Sequence, residues 1–164
     1  MNVIYPGSFD PVTNGHVDIA RRSANILGQV TVAVLDNPVK TSLFSVKERV
    51  NMLREVFCED ENIEVESFCG LLAEFVKLKR ISTIIRGVRS TEDLSKEMPY
   101  AVWNRQLSSA ETVFLTAEPS LMHISSSVVR EVAAHVYKSG LDDIEISQSV
   151  PPIVREALRE KYYR

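Results

Sequence analysis

Cysteine is scarce in this 164-residue chain: Cys58 and Cys69 are the only two, and they form no CxxC pair or ligand-spaced cluster. That spacing argues against a disulfide framework or a zinc site and leaves two ordinary reduced thiols. No apolar run approaches the roughly 18 residues that a membrane span needs. The first residues carry no basic segment followed by an apolar one, so no secretory signal is read. A net charge of −3 argues against a surface that coats nucleic acid. Neither GxGxxG nor GxxxxGK occurs at any of the six glycines, which speaks against a hydride-transfer enzyme and a P-loop NTPase. Repeats, low-complexity tracts and linkers are missing as well. These absences leave one domain, residues 1–164, expected to be cytoplasmic, with neither nucleic acid nor membrane as a partner.

What is present is an alternation of strands and helices. The run Asn2-Val3-Ile4-Tyr5 reads as a strand, and over residues 17–27 Val17, Ala20, Ala24 and Leu27 recur at helical spacing. Further strands are expected at 29–35, 63–67, 81–85 and 113–116. Helices are expected at 46–57, where Ser45-Val46-Lys47-Glu48 is a capping box, and at 71–79, within 91–107, at 125–138 and from Pro151-Pro152 onward. Five strands separated by helices imply right-handed crossovers: an α/β, Rossmann-like fold with a five-stranded parallel sheet covered by helices on both faces.

In such sheets ligands bind beyond the carboxyl ends of the strands, at the switch in strand order. The polar features fall there. Gly7 to His16 follow the first strand, Lys40 the second and Leu71-Leu72 the third. Arg86 and Arg89 follow the fourth, and Ser125 to Ser127 follow the fifth. His16 and Gly15 stand at a helix N-terminus, where unpaired N–H groups and the helix dipole favour phosphate. Taken singly, each feature has a plainer reading: Lys40 a solvated loop lysine, Arg86 and Arg89 surface ion pairs, the serines a helix cap. Nothing in the spacing supports His123 or His135 as catalytic, and Tyr100 and Trp103 read as packing or partner-contact residues.

Thr13-Asn14-Gly15-His16 and Ile124-Ser125-Ser126-Ser127-Val128-Val129-Arg130 resemble the paired (T/H)xGH and ISSxxxR signatures of the nucleotidylyltransferase superfamily. With the loop Tyr5-Pro6-Gly7-Ser8-Phe9-Asp10-Pro11 and the segment Ile85-Arg86-Gly87-Val88-Arg89, nearly the whole chain resembles the phosphopantetheine adenylyltransferases. That resemblance implies transfer of the adenylyl group of ATP to 4′-phosphopantetheine, giving dephospho-coenzyme A and pyrophosphate. It assigns His16 to the α-phosphate in the transition state, with Lys40 and Arg89 as further catalytic residues. Around ATP it places Ser8, Phe9, Gly87, Val88, Arg89, Glu97 and the loop Leu121, Met122, His123, Ile124, Ser125, Ser126 and Ser127. At the second substrate it places Ser8, Lys40 and Arg86, with Leu72 and Asn104 along the pantetheine arm. It further implies Mg²⁺ bound with the ATP phosphates rather than in an all-protein cage, a homohexamer, and dephospho-CoA and CoA as product-like ligands.

The chemistry explains these residue types. A phosphate monoester, with a second pKa of about 6, is already an ionised nucleophile at neutral pH. No general base is needed, and catalysis falls to positioning and to stabilising charge on the α-phosphate. A nucleotidylyltransferase for nicotinate mononucleotide or a polyol phosphate would share both end motifs. A nucleotide-binding protein without turnover would need the sheet edge but not His16. One segment departs from the family's D-x-E-Y-E pattern: here it reads Asp93-Leu94-Ser95-Lys96-Glu97, followed by Met98-Pro99. Because proline disfavours helical geometry in the residue before it, the helix is expected to begin late, with Pro99 in its first turn.

Overall fold

Alternation along the first strand divides the core in two. Val3 and Tyr5 point into one apolar cluster while Ile4 between them points into another, each on its own face of the sheet. The computed structural model describes residues 2–36 and 41–163. The strands are β1 (Val3–Gly7), β2 (Val30–Asp36), β3 (Ile63–Cys69), β4 (Thr83–Val88) and β5 (Glu111–Thr116). The helices are α1 (Asn14–Leu27), α2 (Val46–Val56), α3 (Leu72–Leu78), α4 (Thr91–Ser108), α5 (Ser126–Ser139), α6 (Ile144–Ser149) and α7 (Pro152–Tyr162), with a single 3₁₀ turn at Pro119–Leu121.

All five strands are parallel, in the order β3-β2-β1-β4-β5. The larger cluster packs α1, α2, α5, α6 and α7 against one face, through Ala20, Leu53, Val129, Ile146 and Leu158 among others. The smaller one packs α3 against the other through Leu72, Phe75 and Val76. α4 lies beside α3 but buries only Asn104, leaving Met98, Tyr100, Val102, Trp103 and Leu107 exposed.

The register of β1 opens the site. β1 pairs with β2 over all five of its residues, but with β4 only at Val3↔Thr83 and Ile4↔Ile84. Beyond Ile4 the two central strands part, at the point where the strand order reverses. Pro6 is tolerated inside β1 because the ladder on the β4 side has already ended. β4 itself continues to Val88, held by β5 through Arg86↔Phe114, Gly87↔Leu115 and Val88↔Thr116. Arg86 and Gly87 are therefore strand residues at the lip of the crevice, not loop residues after a strand that ends at Ile85.

Two other expectations are corrected. α4 begins at Thr91, capped by the Ser90 hydroxyl, which accepts from the Asp93 N–H at 3.2 Å. Pro99 consequently sits in the helix interior rather than in the first turn. The cap and the Arg89–Asp93 ion pair (2.9 Å) anchor the helix start well before the proline. The short helix α6 had no counterpart in the sequence reading, because six residues carry too little periodicity to register.

Candidate active site

His16 stands in the first turn of α1, where Thr13 is the N-cap. Its own N–H donates to Thr13 Oγ1 at 3.4 Å, and in return its Nδ1 accepts from the Thr13 N–H at 3.1 Å. The TxGH signature is thus a capping box in which an imidazole takes the place of the usual glutamate. A backbone N–H can only donate, so Nδ1 holds the lone pair and the neutral ring carries its proton on Nε2. Burial, aided by the positive charge of Arg89, pushes the His16 pKa down to about 4. At neutral pH His16 is an uncharged hydrogen-bond donor.

The ring is held on its other sides by aromatics. Phe9 meets it edge-on with centroids 5.1 Å apart, and Tyr5 lies at 6.5 Å. Phe9 is buried in a left-handed backbone conformation (φ 46°), and its ring lies where a Cβ on Gly7 would be 2.9 Å away. Strain of this kind persists where surrounding structure over-determines it. Gly87 is also tightly placed: a Cβ there would stand 3.1 Å from Ile19 Cγ1 of α1, so that side chain would have to give by a few tenths of an ångström.

Two adjoining cavities open beyond the carboxyl ends of β1 and β4, and Tyr5, Ser8, His16, Gly87 and Glu97 line both. The smaller, about 340 Å³, is closed by Gly15, Arg89, Asp93, Lys96, Leu121, Ile124 and Ser125 to Ser127. It receives the N-termini of both α1 and α5. Ser125 caps α5, its hydroxyl accepting from the Val128 N–H at 3.2 Å, and Ser126 donates its hydroxyl to Pro11 O at 2.8 Å. Those side chains shape the turn and leave the backbone amides for an anion. The larger cavity, about 690 Å³, is lined by Pro6, Gly7, Phe9, Leu35, Asp36, Cys69, Gly70, Leu71 and Arg86.

Arginines tie the elements around these cavities. Arg89 donates to Asp93 at 2.9 Å and to the Ile124 carbonyl at 3.1 Å, joining β4 to the loop before α5. Arg86 bridges the split strands, donating to Pro6 O at 3.2 Å, and its Nε lies 3.1 Å from Glu97 Oε2. That oxygen is buried yet receives no well-aligned hydrogen bond, so it stands ready for a ligand donor. Arg130, the last residue of ISSxxxR, donates to the Asp10 carbonyl and pairs with its carboxylate at 3.5 Å. Asp10 in turn accepts from the Leu43 and Phe44 N–H groups, each at 2.9 Å.

Most of the residues expected at the site converge on these cavities: Ser8, Phe9, His16, Arg86, Gly87, Arg89, Glu97, Leu121, Ile124, Ser125, Ser126 and Ser127. Others are placed elsewhere. Val88 is buried beneath the surface, Met122 is exposed, and His123 faces a separate apolar hollow between the 3₁₀ turn, α5 and α6. Leu72 is packed against Phe75 and Ile84 in the smaller core cluster, while its neighbour Leu71 lines the larger cavity. Asn104 is buried on α4 and lines neither cavity. Lys40 lies outside the described residues.

Sequence reasoning assigned no role to Arg49, which the structure shows to be a support of the loop. It is 2 % exposed and donates to the carbonyls of Ser8 (2.7 Å), Phe44 (3.0 Å) and Leu35 (3.4 Å). Its signal was legible: Val46, Arg49, Val50 and Leu53 have i, i+3, i+4, i+7 spacing, so a charge interrupts an apolar stripe. Asp10 and Arg130 lay inside quoted motifs, but only their contact across the fold reveals that they lock the β1–α1 loop.

The cytidylyltransferase-like family model matches residues 4–132. The chain is 46% identical to phosphopantetheine adenylyltransferase of Thermobifida fusca over 160 residues, covering 98% of this chain and 93% of that protein. It is 46% identical to the enzyme of that name from Caldanaerobacter subterraneus subsp. tengcongensis, over 97% of this chain and 96% of that protein. Identity to that from Streptomyces coelicolor is 42%, over 96% and 95%. Among solved structures, nicotinic acid mononucleotide adenylyltransferase of Plasmodium falciparum, complexed with APC, superposes with a TM-score of 0.71 at 14% identity. The match covers 97% of this chain and 94% of that one, a likeness that concerns the fold. With capped helix N-termini meeting at the switch point of a parallel sheet, and near-full-length identity above 40% to such enzymes, this chain belongs to the phosphopantetheine adenylyltransferase family.

Proposed function

We propose that this chain transfers the adenylyl group of ATP to 4′-phosphopantetheine, forming dephospho-coenzyme A and pyrophosphate in coenzyme A biosynthesis. The observation that carries the reading is His16, a neutral Nε2–H donor on the seam of two cavities. ATP takes the smaller cavity, its phosphates against the N-termini of α1 and α5. Phosphopantetheine takes the larger one, its phosphate near Ser8 and Arg86 and its arm along Leu71 and Leu35. Lys40 is proposed as a further contact to that phosphate. At the seam a phosphopantetheine phosphate oxygen attacks the α-phosphorus of ATP. A new P–O bond forms, the bond to the α–β bridging oxygen breaks, and its electron pair leaves with pyrophosphate. No proton need be removed from the nucleophile.

His16 donates to a non-bridging α-phosphate oxygen as charge grows there, and it costs no reorganisation because Thr13, Phe9 and Tyr5 already hold the ring. Arg89, fixed by Asp93 and Ile124, supplies positive potential nearby. Among the described residues no group of three or more His, Cys, Asp or Glu converges as a metal cage. Mg²⁺ is proposed to arrive on the ATP phosphates, where it would neutralise charge on the triphosphate. The reading extends to a single domain over residues 1–164, a cytoplasmic location, homohexamer assembly and CoA as a product-like ligand. No described helix is long and apolar enough to cross a membrane.

Pyrophosphate release from Mg-ATP, measured with and without 4′-phosphopantetheine and with mass detection of product, tests the reading. Release that depends on phosphopantetheine, with dephospho-CoA formed, is expected. Release only with nicotinate mononucleotide or a polyol phosphate would overturn the substrate, and ATP binding without any turnover would overturn the activity.

A further inference from the structure

We infer that Lys96 recognises the outer phosphates of ATP and the departing pyrophosphate, a role that rests on the adenylyl-transfer reading above. Lys96 lines the smaller cavity and not the larger one, so whatever it touches belongs to the nucleotide side. It projects from α4 into the cavity that the N-termini of α1 and α5 enter. Of the acids near it on that helix, Asp93 pairs with Arg89 at 2.9 Å and Glu97 lies 3.1 Å from Arg86, while Glu92, one turn earlier, is exposed and lines neither cavity. Among the described residues, then, its ammonium has no ion-pair partner, while Arg89 and the α1 and α5 amides add positive potential to the same space.

Division of the nucleotide follows from the cavities. The α-phosphate must sit at the seam, since both substrates meet there and His16 borders both. What lies in the smaller cavity alone is the adenosine and the β- and γ-phosphates. Of these a lysine, a compact charge on a flexible stem, selects the anion. Lys96 is exposed and stands at the rim, the right depth for groups that leave first.

Calorimetric titration of ATP, pyrophosphate and AMP into wild type, Lys96→Gln and Lys96→Arg separates the possibilities. Lys96→Gln is expected to weaken ATP and pyrophosphate about tenfold, the scale of one charge-assisted contact, while AMP changes less than about twofold. Lys96→Arg, which keeps the charge, should recover most of the loss. Equal weakening of AMP and ATP, or unchanged affinity for all three, would overturn the inference with the function intact. Wild type that binds no ATP would overturn the adenylyl-transfer reading and this inference with it.

Discussion

His16 is poised by three neighbours that each do something different. Thr13 sets the tautomer, Phe9 and Tyr5 set the ring plane, and burial together with Arg89 sets the charge. His16→Ala should lower kcat by about 10²- to 10³-fold, as loss of one transition-state donor does, with ATP affinity nearly unchanged by calorimetry. An equal fall in affinity and turnover would make it an ordinary ligand contact. The pH behaviour has a definite sign. Its folded pKa of about 4 lies below the ordinary histidine value of 6.5, so between those values the unfolded chain binds the extra proton. This group's contribution to stability is full above about pH 6.5 and declines as pH falls towards 4. A kcat–pH profile should show no inflection from this ring between pH 9 and 6.5, its first fall coming near pH 6, where the phosphate nucleophile gains a proton.

At the scale of elements, β4 and α1 approach so closely at Gly87 that no side chain fits without movement. Gly87→Ala brings a Cβ to 3.1 Å from Ile19 Cγ1 and should destabilise by about 1–3 kcal/mol, read as a lower denaturant midpoint. α4 poses the opposite case. Pro99 withholds an N–H from the helix interior, where proline is about 3 kcal/mol less favourable than alanine. Pro99→Ala should therefore raise Tm by several degrees if the helix is as continuous as the structure has it. An unchanged Tm would indicate a helix already broken there. Here the sequence reading failed because it weighed the proline's local preference alone. The Ser90 cap and the Arg89–Asp93 pair, which start the helix early, act from outside that window. It succeeded for α1 because cap, glycine and apolar spacing all pointed the same way.

For the whole molecule the salient feature is α4's outer face. Tyr100, Val102 and Trp103 are 62%, 52% and 60% exposed on a helix that buries a single residue, an uneconomical surface for a lone protomer. Light scattering at micromolar concentration is expected to give a hexamer, and Trp103→Glu to shift it towards smaller species. A wild-type monomer would sink the assembly proposal.

The sequence by itself determined the class of fold and the identity of the chemical groups. Strand-helix alternation dictates a parallel sheet, the TxGH and ISSxxxR segments place capped helix starts after strands, and both signals are local, carried within a few residues of chain. The tertiary structure alone decided geometry that depends on distant partners. It ends the β1–β4 ladder at Ile4 and so opens the crevice, and it turns Leu71 rather than Leu72 towards the cavity. It also recruits Arg49 and Arg130 to brace the β1–α1 loop across intervals of 41 and 120 residues. A side chain's type is written in the chain, whereas the carbonyl it must reach is known only once the strands have paired.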